Sequence, residues 1–335
     1  MHALLSEKKP PPFFAQNAFW PIRHGFFGLC GGISDSQHAV LQASCPNVDS
    51  DQSRSTTPNQ HDRCAVIKTV ASTSLSALNF TGMAWLSNQK HTNRVLVLPR
   101  DQRLVLQPAD ALITNDPHAI IGIITADCAP ILIYDRVAKV IAAIHAGWRG
   151  AVSGVIEETI TRMYALGATM PNLHATIGPM IRSESYQVSN DFLQTVQGSS
   201  DWSIVPMVRT AGDSIFFDLP LYIHKRLESL VSKTDDVKID TFSRTDFFSH
   251  RRATHSQQQA PRARIKDFQE WQGGDQVTEM QHILHREKET IGPLGDPLAQ
   301  CSANHSAERP GGNCPNSHGR NISWISLTAR IDLPF

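Results

Sequence analysis

The chain has 335 residues, with 31 Lys+Arg against 31 Asp+Glu, 15 His and 6 Cys. Zero formal net charge excludes the basic excess of a general nucleic-acid binder and the charge run of an acidic disordered tail. With 41% apolar residues it can bury a sizeable core, and its length allows one large domain or two ordinary ones. Cys30, Cys45, Cys64, Cys128, Cys301 and Cys314 are scattered with no C-x-x-C pair, so they read as reduced thiols. Residues 1–16 carry Glu7, Lys8, Lys9 and three consecutive prolines instead of an apolar signal core. No stretch reaches the roughly 18 apolar residues of a membrane helix. These features predict a cytoplasmic protein with no membrane partner and no nucleic-acid partner.

In chain order, residues 1–19 read as a flexible N-terminus and 35–63 as a long polar loop. Residues 65–78 can form a helix, weakened by Val, Ser and Thr. Short Ile- and Val-rich runs come next at 95–98, 111–114, 120–125, 131–134 and 140–144. Their apolarity is continuous, not alternating, which predicts strands buried on both faces. A helix is expected over 150–166, with Gly167 as its capping glycine. Further on come a strand at 174–177, a helix at 191–196 and a strand at 214–217. Asp218 caps a helix over 219–230, and the last strands are 239–242 and 322–327. The order mixes strands and helices without a βαβ repeat. G-x-G-x-x-G and P-loop motifs are absent.

Residues 256–316 are rich in Gln, Gly, Pro, His and Arg, with few clustered apolar residues. They read as a largely disordered surface insertion carrying at most a short helix at 276–288. Their His and Cys residues match no standard zinc spacing. The expected organisation is therefore one catalytic domain over 20–255 plus 317–335, interrupted by that insertion.

Three residues carry the chemistry. Cys128 lies in Thr125-Ala126-Asp127-Cys128-Ala129-Pro130, and His145 opens His145-Ala146-Gly147-Trp148-Arg149-Gly150. His91 ends Asn88-Gln89-Lys90-His91, just before the strand at 95. Each sits at a strand end beside a turn, where sites on sheet proteins collect. A thiolate and two imidazoles suit zinc, and three protein ligands with a fourth position open is the catalytic pattern. Such an ion lowers the pKa of a water or polarises a substrate oxygen. Spacing alone also allows Cys128 to be a small buried hydrophobe, because no two of the three form a local motif.

The run from Thr125 to Gly150 resembles the signature of the YfiH family, also called laccase-domain or polyphenol-oxidase-like proteins, purine nucleoside phosphorylases and peptidoglycan editing factors. The resemblance extends to His24-Gly25-Phe26-Phe27 with Gly31-Gly32, Gln89-Lys90-His91, Ala109-Asp110-Ala111-Leu112 and Ile177-Gly178-Pro179. It continues in Tyr186-Gln187-Val188, Phe247-Phe248-Ser249-His250-Arg251-Arg252 and Gly319-Arg320. It covers roughly residues 20–255 and 318–330. It implies an α+β fold, a single domain of mixed β-sheets packed between α-helices, related in shape to cysteine-hydrolase toxins. It implies His91, Cys128 and His145 as ligands of zinc, with copper as the other metal associated with the family. The activity implied is phosphorolysis of adenosine, inosine, guanosine and methylthioadenosine, with adenosine deamination beside it. The small-molecule partners are then purine nucleosides and phosphate; oligomeric state is not legible.

Cys128, Asp127 and Arg149 are the candidate catalytic residues, and Gln89, Arg251 and Arg252 the candidates for holding substrate or phosphate. Guanidinium forks match phosphate oxygens, although each Arg could equally serve a structural ion pair. Asp127 is the carboxylate nearest Cys128 in sequence and could move a proton. In a regular strand, however, its side chain points away from Cys128, which would suit it instead to orienting a ligand. The paired H-x-E and P-C-x-x-C pattern of common zinc deaminases is absent. Three alternatives stand beside the phosphorylase reading. One is copper-dependent phenol oxidation, disfavoured by the lack of H-x-H and H-C-H. Another is hydrolysis of a peptidoglycan precursor by a zinc-activated water or by Cys128 with His145 as base. The third is a metal-free binding protein. The chain departs from the family pattern at Gly28-Leu29, Asn88, Thr92 and His250.

Overall fold

In a computed structural model of the chain, the residues described are 13–14, 22–28, 33–34, 72–77, 82–98, 108–200, 203–259 and 319–329. The chain divides into two units, Met1–Arg252 with Asn316–Phe335, and Ala253–Pro315. The first unit holds every candidate site residue. The expected loop at 35–63, the expected helix at 276–288 and all of the proposed insertion beyond residue 259 lie outside the described residues.

Two six-stranded sheets and one three-stranded sheet form the first unit. The first sheet runs β1 (Phe13–Phe14), β2 (Ile22–Phe27), β15 (Gly319–Ala329), β7 (Ala119–Thr125), β4 (Met83–Leu86), with β3 (Ile33–Ser34) paired to β15. The second runs β14 (Lys233–Asp236), β10 (Leu173–Ile177), β8 (Ala129–Asp135), β9 (Val140–Ala146), β6 (Ala111–Thr114), β5 (Val95–Val97). The small third sheet is β11 (Gln187–Val188), β13 (Ser214–Phe217), β12 (Val208–Ala211). Three pairs, β4 with β7, β5 with β6 and β10 with β14, are parallel, and the others antiparallel. The fold is α+β with mixed sheets.

The continuous apolar runs have a physical reason in the second sheet. All seven residues of β8 and all seven of β9 are buried. Ile131, Ile133, Ala142 and Ile144 face a core that also holds Val155, Ile156, Ile160, Tyr222 and Ile223 of the helices. Leu132, Tyr134, Ile141 and Ala143 face the other way, into a core shared with Phe26, Ile121, Ile123 and Ile325 of the first sheet. The outer face of the first sheet carries Trp324, whose indole N–H donates to Ser74 of helix α1 (Ser72–Ala77) at 2.9 Å. The sheets thus lie face to face between helices.

Several boundaries differ from the sequence reading. The helix expected over 150–166 is two helices, α2 (Trp148–Val152) and α3 (Val155–Ala165). Gly154, at φ +85, breaks them, a conformation glycine adopts without steric cost. Helix α4 (Asn190–Ser199) starts on Ser189, whose hydroxyl accepts the Phe192 N–H. Helix α5 (Leu219–Leu227) starts on Asp218 as expected, its carboxylate accepting the Leu221 N–H at 2.8 Å. The strand expected at 239–242 is absent; only Asp240 bridges Met180 there. The edge strand is instead β14, whose Lys233-Thr234-Asp235-Asp236 sequence carries no apolar signal. A last helix, α6 (His250–Gln259), begins in the Ser249-His250-Arg251 motif. Among the described residues, no helix is long and apolar enough to cross a membrane.

Candidate metal centre

Cys128 lies in the turn where the chain leaves β7 in one sheet and enters β8 in the other. Asp127 makes this crossing at φ +83, so the regular-strand alternation that would turn its side chain away from Cys128 does not apply. Its buried carboxylate accepts the Thr241 hydroxyl at 2.7 Å and the Arg251 N–H at 2.7 Å, and its carbonyl accepts the Ile181 N–H at 3.0 Å. Asp127 therefore ties the Cys128 turn to the loop after β14 and to the first turn of α6.

His145 is buried in β9, opposite Pro130. His91 is exposed, on the loop before β5, at φ +59. One donor atom from each of His91, Cys128 and His145 lies within 4.8 Å of the others. The Cys128 Sγ is 3.8 Å from His91 Nε2, and the two imidazoles meet edge to face with centroids 4.8 Å apart. Nitrogen and sulfur bound to a tetrahedral zinc at about 2.0 and 2.3 Å stand roughly 3.5 Å apart; the Cys128–His91 separation of 3.8 Å is close to that edge, and a thiolate with two imidazoles is a donor set that suits the ion.

Gly147 gives the cluster its room. A Cβ there would stand 2.9 Å from Cys128 Sγ and 2.9 Å from His91 Cδ2. The backbone of the His145-Ala146-Gly147 turn thus passes directly against two of the donors.

Electrostatics couple the three side chains. Burial pushes the Cys128 thiol up, but His145 and then His91 outweigh it and bring it down to about 6. Burial works against a charged His145, yet Cys128 and Asp110 lift it to about 9. Both shifts run the same way, favouring a thiolate beside an imidazolium near neutral pH.

Asp110, in the sequence only one letter of the Ala109-Asp110-Ala111-Leu112 motif, proves central. It is fully buried just before β6, and its carboxylate lies 2.9 Å from His145 Nδ1. It also accepts the backbone N–H groups of Lys90, His91 and Thr92 and the Thr92 hydroxyl. Burial raises its carboxyl, but His145 and Thr92 hold it below the usual carboxylate value. The signal in the sequence is a lone carboxylate at the head of the fully apolar run at 111–113.

The remaining candidates divide. Gln89 spends its amide on both backbone groups of Ile124, donating to the carbonyl at 2.6 Å and accepting the N–H at 2.8 Å. Arg252 gives its guanidinium to the carbonyls of Thr241, Phe242, Arg244 and Phe247 and so clamps a loop. Arg149 is exposed, stacked over Trp148 at 4.4 Å, with no ion pair to another described residue. Arg251 lies over Tyr186 at 5.6 Å and donates to the Gln187 carbonyl at 3.0 Å. Tyr186, which sequence reasoning did not single out, is electrostatically coupled to Cys128, Arg251, Asp127 and Arg149. Burial, and then the Cys128 charge, keep its hydroxyl protonated far above neutrality.

A model of the family described as Multi-copper polyphenol oxidoreductase laccase matches residues 23–260. A purine nucleoside phosphorylase of Corynebacterium glutamicum is 30% identical over 244 residues, which cover 72% of this chain and 93% of that protein. A purine nucleoside phosphorylase of Deinococcus radiodurans is 32% identical over 191 residues, 56% of this chain and 69% of that protein. Among solved structures, a Neisseria meningitidis protein of the DUF152 family superposes with a TM-score of 0.58 at 18% identity, over 95% of this chain and 99% of that one. Bacillus licheniformis YfiH superposes with a TM-score of 0.57 at 17% identity, over 92% and 93%. The chain belongs to this YfiH and DUF152 group, the Multi-copper polyphenol oxidoreductase laccase family.

Proposed function

We propose that the protein is a zinc-dependent purine nucleoside phosphorylase acting on adenosine, inosine, guanosine and methylthioadenosine, with adenosine deamination as a second activity. The observation that carries this reading is the convergence of His91, Cys128 and His145, from three separate segments, within 4.8 Å. Support comes from relatives named purine nucleoside phosphorylase, one of them matched over 93% of its length. A zinc ion held by these donors would supply a Lewis acid that polarises an oxygen of substrate or water.

The chain's own residues provide the rest. In phosphorolysis a phosphate oxygen attacks C1′ of the ribose, the C1′–N9 bond breaks, and its electron pair leaves with the purine. The purine takes up a proton, giving free base and ribose 1-phosphate. We assign Arg149, whose guanidinium lies over the Trp148 ring, to receiving the phosphate, with Arg251 over Tyr186 as the second cation. Tyr186 keeps its proton and can donate a hydrogen bond to a phosphate or ribose oxygen. Arg252 and Gln89 act through the backbone they fasten. Asp127 fixes both Cys128 and the start of α6, which carries Arg251.

One observation favours a second reading, copper-dependent phenol oxidation: the family's description names copper, and Cys with His also suits that softer metal. The described residues hold a single three-donor cluster, whereas multicopper chemistry needs several sites. One experiment separates the readings. Metal-quantified protein is incubated with adenosine and phosphate, and in parallel with a phenol and oxygen. Adenine, ribose 1-phosphate and some inosine are expected from the first incubation. Phenol oxidation by a copper-loaded sample with no phosphorolysis would replace the proposal.

A further inference from the structure

We propose that Asp110 is the positioning residue of the metal centre, one carboxylate that sets the orientation of both histidine donors. The proposal rests on the reading of His91, Cys128 and His145 as metal ligands. Asp110 Oδ1 lies 2.9 Å from His145 Nδ1 and accepts the His91 N–H at 2.9 Å and the Lys90 N–H at 3.1 Å. Oδ2 accepts the Thr92 N–H at 2.7 Å and the Thr92 hydroxyl at 2.8 Å. The Asp110 carbonyl accepts the His145 N–H at 2.7 Å.

Each bond has a consequence at the donors. With Nδ1 engaged by Asp110, the His145 ring is held on one axis and presents Nε2. His91 stands at φ +59, a left-handed conformation that a side chain disfavours sterically. Three consecutive N–H groups, of residues 90 to 92, converge on Asp110 and hold the loop in that shape. One carboxylate therefore touches the ring of one histidine and the backbone of the other. The His145 ring and the His91 backbone are thus fixed before a metal arrives, so binding does not have to supply that ordering.

Asp135 provides an internal control. It too is fully buried, and it too collects backbone N–H groups, from Val137 at 2.8 Å, Ala138 at 2.7 Å and Thr169 at 2.8 Å. It lies at the opposite end of β8 from Cys128.

The test compares Asp110→Asn, Asp135→Asn and Thr92→Val in the full chain. Zinc affinity is read by competition with a chromophoric chelator, the visible spectrum of the cobalt form reports ligand geometry, and circular dichroism reports folding. Asp110→Asn is expected to weaken zinc binding 10- to 100-fold, the usual cost of losing such a partner, and to alter the cobalt spectrum. Asp135→Asn is expected to lower the melting temperature and leave both metal readouts unchanged. Thr92→Val removes one donor to Asp110 without touching a histidine and should weaken binding about fivefold, one hydrogen bond's worth. A folded Asp110→Asn with wild-type zinc affinity overturns the proposal, and so does an equal loss in Asp135→Asn. If Asp110→Asn does not fold, Thr92→Val decides: a loss supports the proposal and unchanged affinity overturns it. A wild-type chain that takes up no zinc overturns the metal reading itself, and the proposal with it.

Discussion

A buried aspartate stands at each end of the β8–β9 strand pair. At the far end, Asp135 accepts three backbone N–H groups and closes a turn in which Lys139 adopts φ +55. At the near end, beside Cys128 and His145, Asp110 accepts three backbone N–H groups and holds a loop in which His91 adopts φ +59. The two carboxylates do the same mechanical work on the backbone. They differ in two side-chain contacts of Asp110, the Thr92 hydroxyl at 2.8 Å and the His145 ring at 2.9 Å. Burial and the number of backbone N–H groups held therefore do not distinguish a fold-forming aspartate from one that orders a metal site. What distinguishes them is the chemistry of the groups they hold.

Replacing groups at the near end should break this contrast most strongly. Cys128→Ala removes a donor and should weaken zinc binding by more than about 100-fold, beyond the cost of losing an outer partner; chelator competition measures it. Gly147→Ala keeps an ordinary φ of −70 but drives a Cβ to 2.9 Å from both Cys128 Sγ and His91 Cδ2. It should reduce zinc affinity about tenfold with little loss of helix, since binding must then work against the displaced donors. Arg149→Ala should raise the KM for phosphate about tenfold, the value of one charge-assisted hydrogen bond, with the metal content unchanged. At the far end, Asp135→Asn should cost about 2 kcal/mol of stability, seen as a melting shift of several degrees, and nothing in phosphorolysis.

A pH experiment sharpens the contrast further. The Cys128 thiol is depressed to about 6 by His145 and His91, against burial. In metal-stripped protein its alkylation, followed on the Cys128 peptide by mass spectrometry, should stay fast from alkaline pH down to about 6 and fall below that, as the thiolate takes up its proton. His145→Ala removes the strongest neighbour lowering the thiol and should move the midpoint toward the ordinary thiol value of about 8.5.

Much of the fold is legible in the sequence. The runs at 95–98, 111–114, 120–125, 131–134 and 140–144 all form strands, and in all but the half-buried edge strand at 95–97 two-sided burial writes continuous apolarity into the sequence. Asp218 is legible for a local reason, since a capping side chain acts on its own helix. Strand β14 is not: its Lys233-Thr234-Asp235-Asp236 residues form an edge, and their pairing with β10 comes from across the fold. Within the site, His91, Cys128 and His145 can be named from motifs, but their approach to within 4.8 Å depends on a chain crossing between two sheets. The roles of Asp110 and Gln89 depend on partners 35 residues away in the chain, which no local pattern records. Gln89 reads as a substrate contact because its motif surrounds His91; its amide is in fact closed on Ile124. Tyr186 is written in a quoted motif, Tyr186-Gln187-Val188, but its electrostatic contact with Cys128, Arg149 and Arg251 arises only in the fold.

The central claim is that the His91–Cys128–His145 cluster is a metal centre on which purine phosphorolysis depends. The most direct measurement is turnover of adenosine with phosphate across a series of samples stripped of metal and reloaded with increasing amounts of zinc. Adenine and ribose 1-phosphate are predicted to form at a rate that rises in proportion to bound zinc, up to one ion per chain, with no rate in the Cys128→Ala variant at any loading. Full turnover by the stripped protein, or turnover that ignores zinc content, would contradict that claim.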